Sequence, residues 1–212
     1  MKDTFFNLKP DKQRRIMHAV LEEFSLSGYE KTSLDTIVRR AGISKGGLYE
    51  YIESKEDLFQ YALEYSYGEM ECHIMNAAQD NPMPQDPVER TRFISSVAVE
   101  FYIAEPECIA FIVKASQVEQ SDIRRRMQSV LDRYFDNLYR DADYSSIPFG
   151  REKALMLLKW LLVKTRNDFS ESLAALSRTE LCRKEYLAEW DFFLSVLSGG
   201  MYAGKAHPDA SR

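Results

Sequence analysis

Glycine, proline, cysteine and histidine are all scarce in this sequence of 212 residues. Its nine glycines and seven prolines favour long regular elements over the turn-rich strands of an all-β fold. Its cysteines, Cys72, Cys108 and Cys182, are odd in number and far apart, which predicts neither a disulfide framework nor a zinc site. We therefore expect reduced, mostly buried thiols in a cytoplasmic protein.

Two further absences narrow the range of functions that the protein could have. The longest apolar stretch, residues 154–163, is interrupted by Lys159 and is too short to span a bilayer, so no membrane association is expected. Residues 1–10 lack the apolar segment of a signal peptide. With three scattered histidines and no set of nucleophile, base and acid, the sequence predicts neither an enzyme nor a cofactor or metal site.

The composition that is present is ordinary for a globular protein, with 45% hydrophobic and 29% charged residues. The net charge of −5 argues against a protein that coats nucleic acid without regard to sequence. Residues 1–55 nevertheless carry ten lysines and arginines against eight acidic residues, a balance of +2, which leaves −7 for the rest of the chain. This asymmetry favours DNA contact at one end of the protein only.

Helical periodicity runs through most of the chain. Ile16, Val20 and Phe24 recur every four residues between Pro10 and Gly28, which predicts a helix over residues 10–27. The same reasoning predicts eight further helices, at residues 33–40, 44–51, 54–78, 88–104, 106–116, 119–141, 151–177 and 180–198. The fold class is therefore all-α, with about nine helices.

The helices divide into an N-terminal and a C-terminal group. We expect a three-helix, helix-turn-helix DNA-binding domain over residues 1–53. A C-terminal helical bundle over residues 54–198 would bind an effector and dimerise. The small, polar residues 199–212 are expected to form a disordered tail.

Two short helices, joined through Ala41, Gly42 and Ile43, match helix-turn-helix geometry. Ser44 would cap the second helix, and Lys45 would reach a phosphate or a guanine edge. On pattern alone, an ordinary pair of packed helices fits as well as a DNA-binding motif. Glycines at the next two positions cost about 1 kcal/mol each relative to alanine, and close approach of the backbone to DNA would explain them.

Residues 14–63 resemble the DNA-binding region of the TetR family of bacterial repressors. Residues 24–33 carry F-x-x-x-G-Y-x-x-T-[ST], residues 41–51 carry A-G-[IV]-S-K-G-x-L-Y-x-Y, and residues 54–58 carry S-K-E-x-L. The resemblance implies an all-helical homodimer that binds a palindromic operator in double-stranded DNA.

The resemblance also implies which residues contact DNA. Ser33 and Lys55 match phosphate contacts, and Tyr49 and Tyr51 match contacts to the sugar-phosphate backbone. Contacts at the start of the recognition helix fall on Ser44, Lys45, Gly46 and Gly47.

Two positions depart from the family pattern. Gly47 stands where the family often has Thr, Ser, Ala or Asn, so a side-chain contact to a base is missing. Glu50 either accepts a hydrogen bond from a cytosine amino group or points away from DNA.

The last two helices are candidates for the dimer interface. The final helix places an apolar stripe on one side, formed by Leu187, Trp190, Phe193, Leu194 and Leu197. The helix before it is apolar nearly all round over residues 154–163. Two such helices from each subunit would form a four-helix interface about a two-fold axis, unless both are internal core helices.

Large flexible and aromatic side chains in the C-terminal part are candidates for a pocket that binds a small apolar or aromatic effector. They are Met70, Phe101, Phe111, Tyr134, Trp160 and Phe169. The same spacing is also typical of an ordinary helical core.

These observations predict a sequence-specific transcriptional regulator, a repressor that a small-molecule effector releases from its operator. The alternatives are an activator or an effector-independent regulator on the same scaffold. A helical ligand carrier or an enzyme is the remote alternative, because no catalytic motif supports it.

Overall fold

The computed structural model describes the backbone of residues 1–176 and 179–202 and the side chains of residues 1–173 and 182–200. Over these residues the chain forms ten helices and no strand, which confirms the all-α prediction. In chain order the helices are α1 (Asp3–Phe6), α2 (Pro10–Lys31), α3 (Leu34–Ala41), α4 (Lys45–Tyr49), α5 (Lys55–Asp80), α6 (Pro87–Ala104), α7 (Pro106–Ala115), α8 (Ser121–Leu138), α9 (Gly150–Leu176) and α10 (Thr179–Tyr202).

The helix ends show where sequence periodicity was sufficient and where it was not. Gly28 has a left-handed φ of 71°, so the regular part of α2 ends at this glycine, as its position in the sequence predicted. Helix α1 was missed, because four residues are too few to show a period. Helix α10 continues to Tyr202, past the predicted start of the tail, and residues 203–212 of that predicted tail lie outside the described residues.

The chain divides into two compact units. Unit 1 contains Met1–Glu71 and Glu105–Tyr134, and unit 2 contains Cys72–Ala104 and the chain from Phe135 onward. The functional division expected at residue 54 does not coincide with these units and stays a prediction.

Unit 1 is built around α2, which packs along α7 and against α3. Phe24, Phe59 and Phe111 bring α2, α5 and α7 together, with ring centroids 5.1 to 5.9 Å apart. Tyr29, just after the break in α2, folds back so that its ring meets that of Phe59 at 5.1 Å. Phe111 is therefore a core side chain of this unit, and its assignment to an effector pocket stays a prediction.

Unit 2 is held by α6, α9 and α10, which pack against one another. Its core contains Tyr102, Phe169, Tyr186 and Trp190, whose neighbouring rings lie 5.0 to 6.3 Å apart. The guanidinium of Arg90 is also buried here and donates to the carbonyls of Pro84 and Leu138 and to the carboxylate of Asp141.

Two residues of the predicted dimer interface, Trp190 and Leu194, lie in the core of unit 2, and the interface as a whole stays a prediction. Both side chains are fully buried within the chain's own unit 2 and leave no surface for a second subunit to contact. Leu187, Phe193 and Leu197, from the same predicted stripe, are only partly exposed. The predicted stripe is therefore largely the face that α10 turns towards its own core.

Candidate nucleic-acid interface

A left-handed glycine sets the angle between α3 and α4. Gly42 has φ 63° and ψ 41°, a conformation that residues with a Cβ atom adopt at a cost. The N–H of Gly42 donates to the carbonyl of Arg39, and the N–H of Ile43 donates to that of Val38. These bonds end α3 and redirect the chain at once into α4, as a helix-turn-helix requires.

The two serines predicted to contact DNA both cap helices. Ser33 precedes α3, and its hydroxyl accepts a hydrogen bond from the N–H of Thr36 at 3.4 Å. Ser44 precedes α4, and its hydroxyl accepts from the N–H of Gly47 at 3.0 Å. Both side chains remain exposed, so capping leaves them open to a phosphate.

Lys45 is exposed at the start of α4, where its ammonium lies 2.8 Å from the carboxylate of Asp35 on α3. The hydrogen bond to Asp35 raises the pKa of Lys45 above its usual value, so the side chain is cationic at neutral pH. The pairing with Asp35 was not predicted, because a pair ten residues apart across a turn has no periodic signature.

Tyr49, the last residue of α4, and Tyr51, two residues later, differ in exposure. Tyr49 is 43% exposed and is open to a DNA backbone. Tyr51 is 9% exposed, its hydroxyl accepts from the ammonium of Lys12 at 3.2 Å, and its ring lies 6.1 Å from that of Phe5. The predicted backbone contact therefore has a clear surface at Tyr49, whereas Tyr51 lies mainly inside unit 1.

Lys55 is half-buried and already has partners within the chain. Its ammonium donates to the carbonyls of Glu30 at 3.1 Å and Thr32 at 3.3 Å, and it lies 4.9 Å from the ring centre of Tyr29. A lysine at a helix C-terminus is stabilising, because carbonyl oxygens are unpaired there. Its phosphate contact stays a prediction, and binding a phosphate would compete with these bonds.

Unit 2 contains a cleft of about 290 Å³ that includes one of the six predicted effector-pocket residues, Phe169. The hydroxyl of Tyr186 is buried beside it, close to the side chains of Thr165 and Trp190. The full lining is Asp168, Phe169, Ser172, Cys182, Glu185, Tyr186 and Glu189.

The remaining predicted pocket residues have other surroundings. Phe101 is buried with its ring 5.8 Å from that of His73, and Tyr134 stacks on Tyr67 with ring centres 5.6 Å apart. Met70 is half-buried, and Trp160 is 66% exposed on α9. The structure therefore supports Phe169 as a lining residue and leaves a single pocket formed by the whole set as a prediction.

Metal and membrane features were searched over the part of the chain that the structure describes. No group of histidine, cysteine and acidic residues there has the arrangement of a metal site. None of its helices combines the length and the apolar character needed to cross a bilayer.

Burial raises the pKa of the Cys108 thiol to about 12, so it stays protonated at neutral pH.

The helix-turn-helix region matches a known family. Residues 16–62 match the model described as bacterial regulatory proteins, tetR family. These residues therefore form a DNA-binding region of the TetR type. YxaF, an HTH-type transcriptional regulator of Bacillus subtilis, is 34% identical over 93 residues, which cover 43% of this chain and 47% of YxaF.

Two further comparisons cover more of the chain. KstR, an HTH-type transcriptional repressor of Rhodococcus jostii, is 25% identical over 144 residues, which cover 66% of this chain and 66% of KstR. The crystal structure of FadR from Bacillus subtilis in complex with stearoyl-CoA has a TM-score of 0.63 and 14% identity, covering 88% of this chain and 98% of FadR. The sequence match to YxaF thus spans about half of that relative's length, and the likeness to FadR shows a shared fold.

A substitution at Gly46 tests whether the predicted recognition helix α4 brings its backbone close to DNA. A Cβ atom on Gly46 would meet nothing within 4 Å. Gly46→Ala should therefore stabilise the chain by about 0.5–1 kcal/mol through helix propensity, which thermal unfolding measures. Its affinity for operator DNA should fall, because the added methyl group lies between the backbone and the duplex.

Gly199→Ala is the matched control, because Gly199 is also helical and also has open space around its Cβ position. It should raise stability without changing DNA affinity. If Gly46→Ala binds the operator as tightly as the parent chain, the backbone does not approach DNA closely at this position.

Proposed function

We propose that this TetR-family chain is a sequence-specific DNA-binding transcriptional regulator that represses by occupying a promoter. The observation that carries the proposal is the capped helix-turn-helix, whose second helix exposes Lys45 and Tyr49 on one open surface. The name of KstR, a transcriptional repressor, supports the direction of regulation. The protein would act in the cytoplasm, where bacterial DNA lies.

Selection from a random-sequence duplex library by the whole chain tests this function directly. Lys45→Ala should weaken binding to the selected duplex by about 1–3 kcal/mol, the range for a contact to a base edge. Lys153→Ala is the control, because it removes the same charge from an exposed position of α9. A Lys45→Ala chain that binds within threefold of the parent chain would remove Lys45 from the DNA contacts.

We also propose that the regulator is a homodimer that binds a palindromic operator through its two helix-turn-helix regions. Unit 2 exposes large apolar side chains on its last two helices: Met156, Leu157 and Trp160 on α9, and Phe192 and Val196 on α10. Trp160 is 66% exposed and Phe192 is 62% exposed. Exposed apolar surface of this kind typically marks an interaction site, and a second copy of the chain provides the same surface about a two-fold axis.

Charge placed on this surface should separate the subunits. Trp160→Glu combined with Phe192→Glu would bury unpaired carboxylates at the interface, so sedimentation velocity should show monomers. Operator affinity should also fall, because two half-sites are no longer bound together. Leu26→Glu, at an exposed leucine of α2, is the matched control and should remain dimeric. A doubly substituted chain that stays dimeric would place the interface elsewhere.

The proposed effector is a small apolar or aromatic molecule bound in the cleft of unit 2. The buried rings of Phe169 and Tyr186 would contact its body, and the Tyr186 hydroxyl would bond to a polar group on it. FadR binds stearoyl-CoA in its crystal structure, which supports a ligand-binding role for this fold. The carboxylates of Asp168, Glu185 and Glu189 around this cleft favour an uncharged ligand over an anionic one.

Reciprocity between effector and operator tests the proposed release. A coupling of about 1–3 kcal/mol would lower operator affinity by about 5- to 150-fold, and the operator would lower effector affinity by the same factor. Uncharged aliphatic and aromatic metabolites are screened by thermal shift, and the affinity of each binder is then measured with and without the selected duplex. Tyr186→Phe should lower the affinity of the chain for the true effector, whereas Tyr65→Phe in unit 1 should leave that affinity unchanged. Equal affinity in both states would rule out a binder as an inducer.

A further inference from the structure

The recognition helix α4 is held at its C-terminal end by residues from the start of the chain. Three successive carbonyls, those of residues 49, 50 and 51, accept hydrogen bonds from this segment. The ammonium of Lys2 donates to the carbonyl of Tyr49 at 2.8 Å, and the N–H of Lys2 donates to that of Tyr51 at 2.8 Å. Between them, the hydroxyl of Thr4 donates to the carbonyl of Glu50.

Phe5 anchors this segment in unit 1. Its side chain is buried, with its ring 6.1 Å from that of Tyr51 and 5.7 Å from that of Tyr61 on α5. The neighbouring Phe6 is 51% exposed. Helix α1 therefore turns one aromatic side chain inward, and that side chain fixes residues 2–4 against the end of α4.

These contacts matter because α4 has little stability of its own. It contains five residues, two of which are Gly46 and Gly47. A helix this short has few internal hydrogen bonds to offset the entropy of ordering it, and its last carbonyls have no partner within the helix. Ser44 satisfies its first turn, and residues 2–4 supply donors to its end. The ammonium of Lys2 also complements the negative end of the helix dipole.

We propose that residues 2–5 form a positioning element that holds the recognition helix in the orientation needed to discriminate DNA sequences. The element reads no base itself and acts through α4. This inference rests on the proposed DNA-binding function, and it assigns a role to a segment that precedes the helix-turn-helix.

A direct contact between Lys2 and a phosphate would also affect DNA affinity, so the decisive variant carries no charge. Thr4→Val keeps the shape of the side chain and removes only the donor to the Glu50 carbonyl. Thr4→Ser keeps the hydroxyl donor and serves as the control for Thr4→Val. Phe5→Ala removes the anchor, and Phe6→Ala is its matched control on the exposed side of α1.

The experiment combines two measurements on the whole chain. Affinity is measured for the duplex that the unaltered chain selects from a random library and for a random-sequence duplex. Thr4→Val should lose about 3- to 10-fold for the selected duplex, the effect of one lost hydrogen bond, and less than twofold for the random duplex. Phe5→Ala should lose at least as much for the selected duplex, because it removes the buried ring that anchors the whole segment. The slope of affinity against salt concentration should not change, because no phosphate contact is removed. Thr4→Ser and Phe6→Ala should match the unaltered chain.

The second measurement is amide hydrogen exchange without DNA. The N–H groups of Glu50 and Ile52 donate to the carbonyls of Gly46 and Leu48, so their exchange reports the integrity of α4 and its end. Exchange at both amides should accelerate in Thr4→Val and Phe5→Ala. The amide of Ile37, which donates to Ser33 at the start of α3, should keep its rate.

The outcomes separate the two proposals. If exchange at Glu50 and Ile52 is unchanged in Thr4→Val, or if affinity for both duplexes falls equally, the positioning role is overturned. If Phe5→Ala does not fold, Thr4→Val decides alone, because Thr4 is exposed. If the unaltered chain selects no duplex, the proposed DNA-binding function fails, while the exchange measurement still decides whether residues 2–5 hold α4.

Discussion

The recognition helix α4 has little stability of its own, and the contacts around it in unit 1 must supply what it lacks. Helix α4 has five residues and two glycines, so it is not stable by itself. Leu48 anchors it through a fully buried side chain, Ser44 caps its start, and residues 2–4 donate to the carbonyls at its end. A helix with small residues on its open side lets the backbone approach DNA, and the cost in helix stability is offset by contacts from elsewhere in the unit.

The cations expected to meet DNA are paired within the chain. Lys45 bonds to Asp35, and Lys55 bonds to the carbonyls at the end of α2. An exposed ion pair such as Lys45 and Asp35 contributes little to stability, so a phosphate can replace the carboxylate at small cost. The pairing also holds the lysine side chain near the helix start before DNA arrives. Lys55 differs, because its carbonyl bonds close a helix end that would otherwise be unpaired.

Helix α10 shows why an apolar pattern does not identify an interface. Trp190 and Leu194 are four residues apart and face the core of unit 2, whereas Phe192 and Val196, also four apart, are exposed. Two residues along a helix rotate a side chain by about 200°, so these two pairs lie on nearly opposite sides. Both pairs are apolar, so hydrophobicity alone does not distinguish them. Which stripe contacts the protein's own core depends on where α6 and α9 lie, and that is a tertiary property.

Local chemistry was enough to predict nine of the ten described helices, the left-handed break at Gly28, the turn at Gly42 and the family of the DNA-binding region. Each of these depends on residues close in sequence, where periodicity, capping and glycine conformation act. Only the tertiary structure decided the partners of Lys45, Lys55 and Tyr51, the inward face of α10, and the contacts of residues 2–5. The contacts of Lys2 and Thr4 span more than forty residues of chain, and such a distance leaves no periodic trace in the sequence.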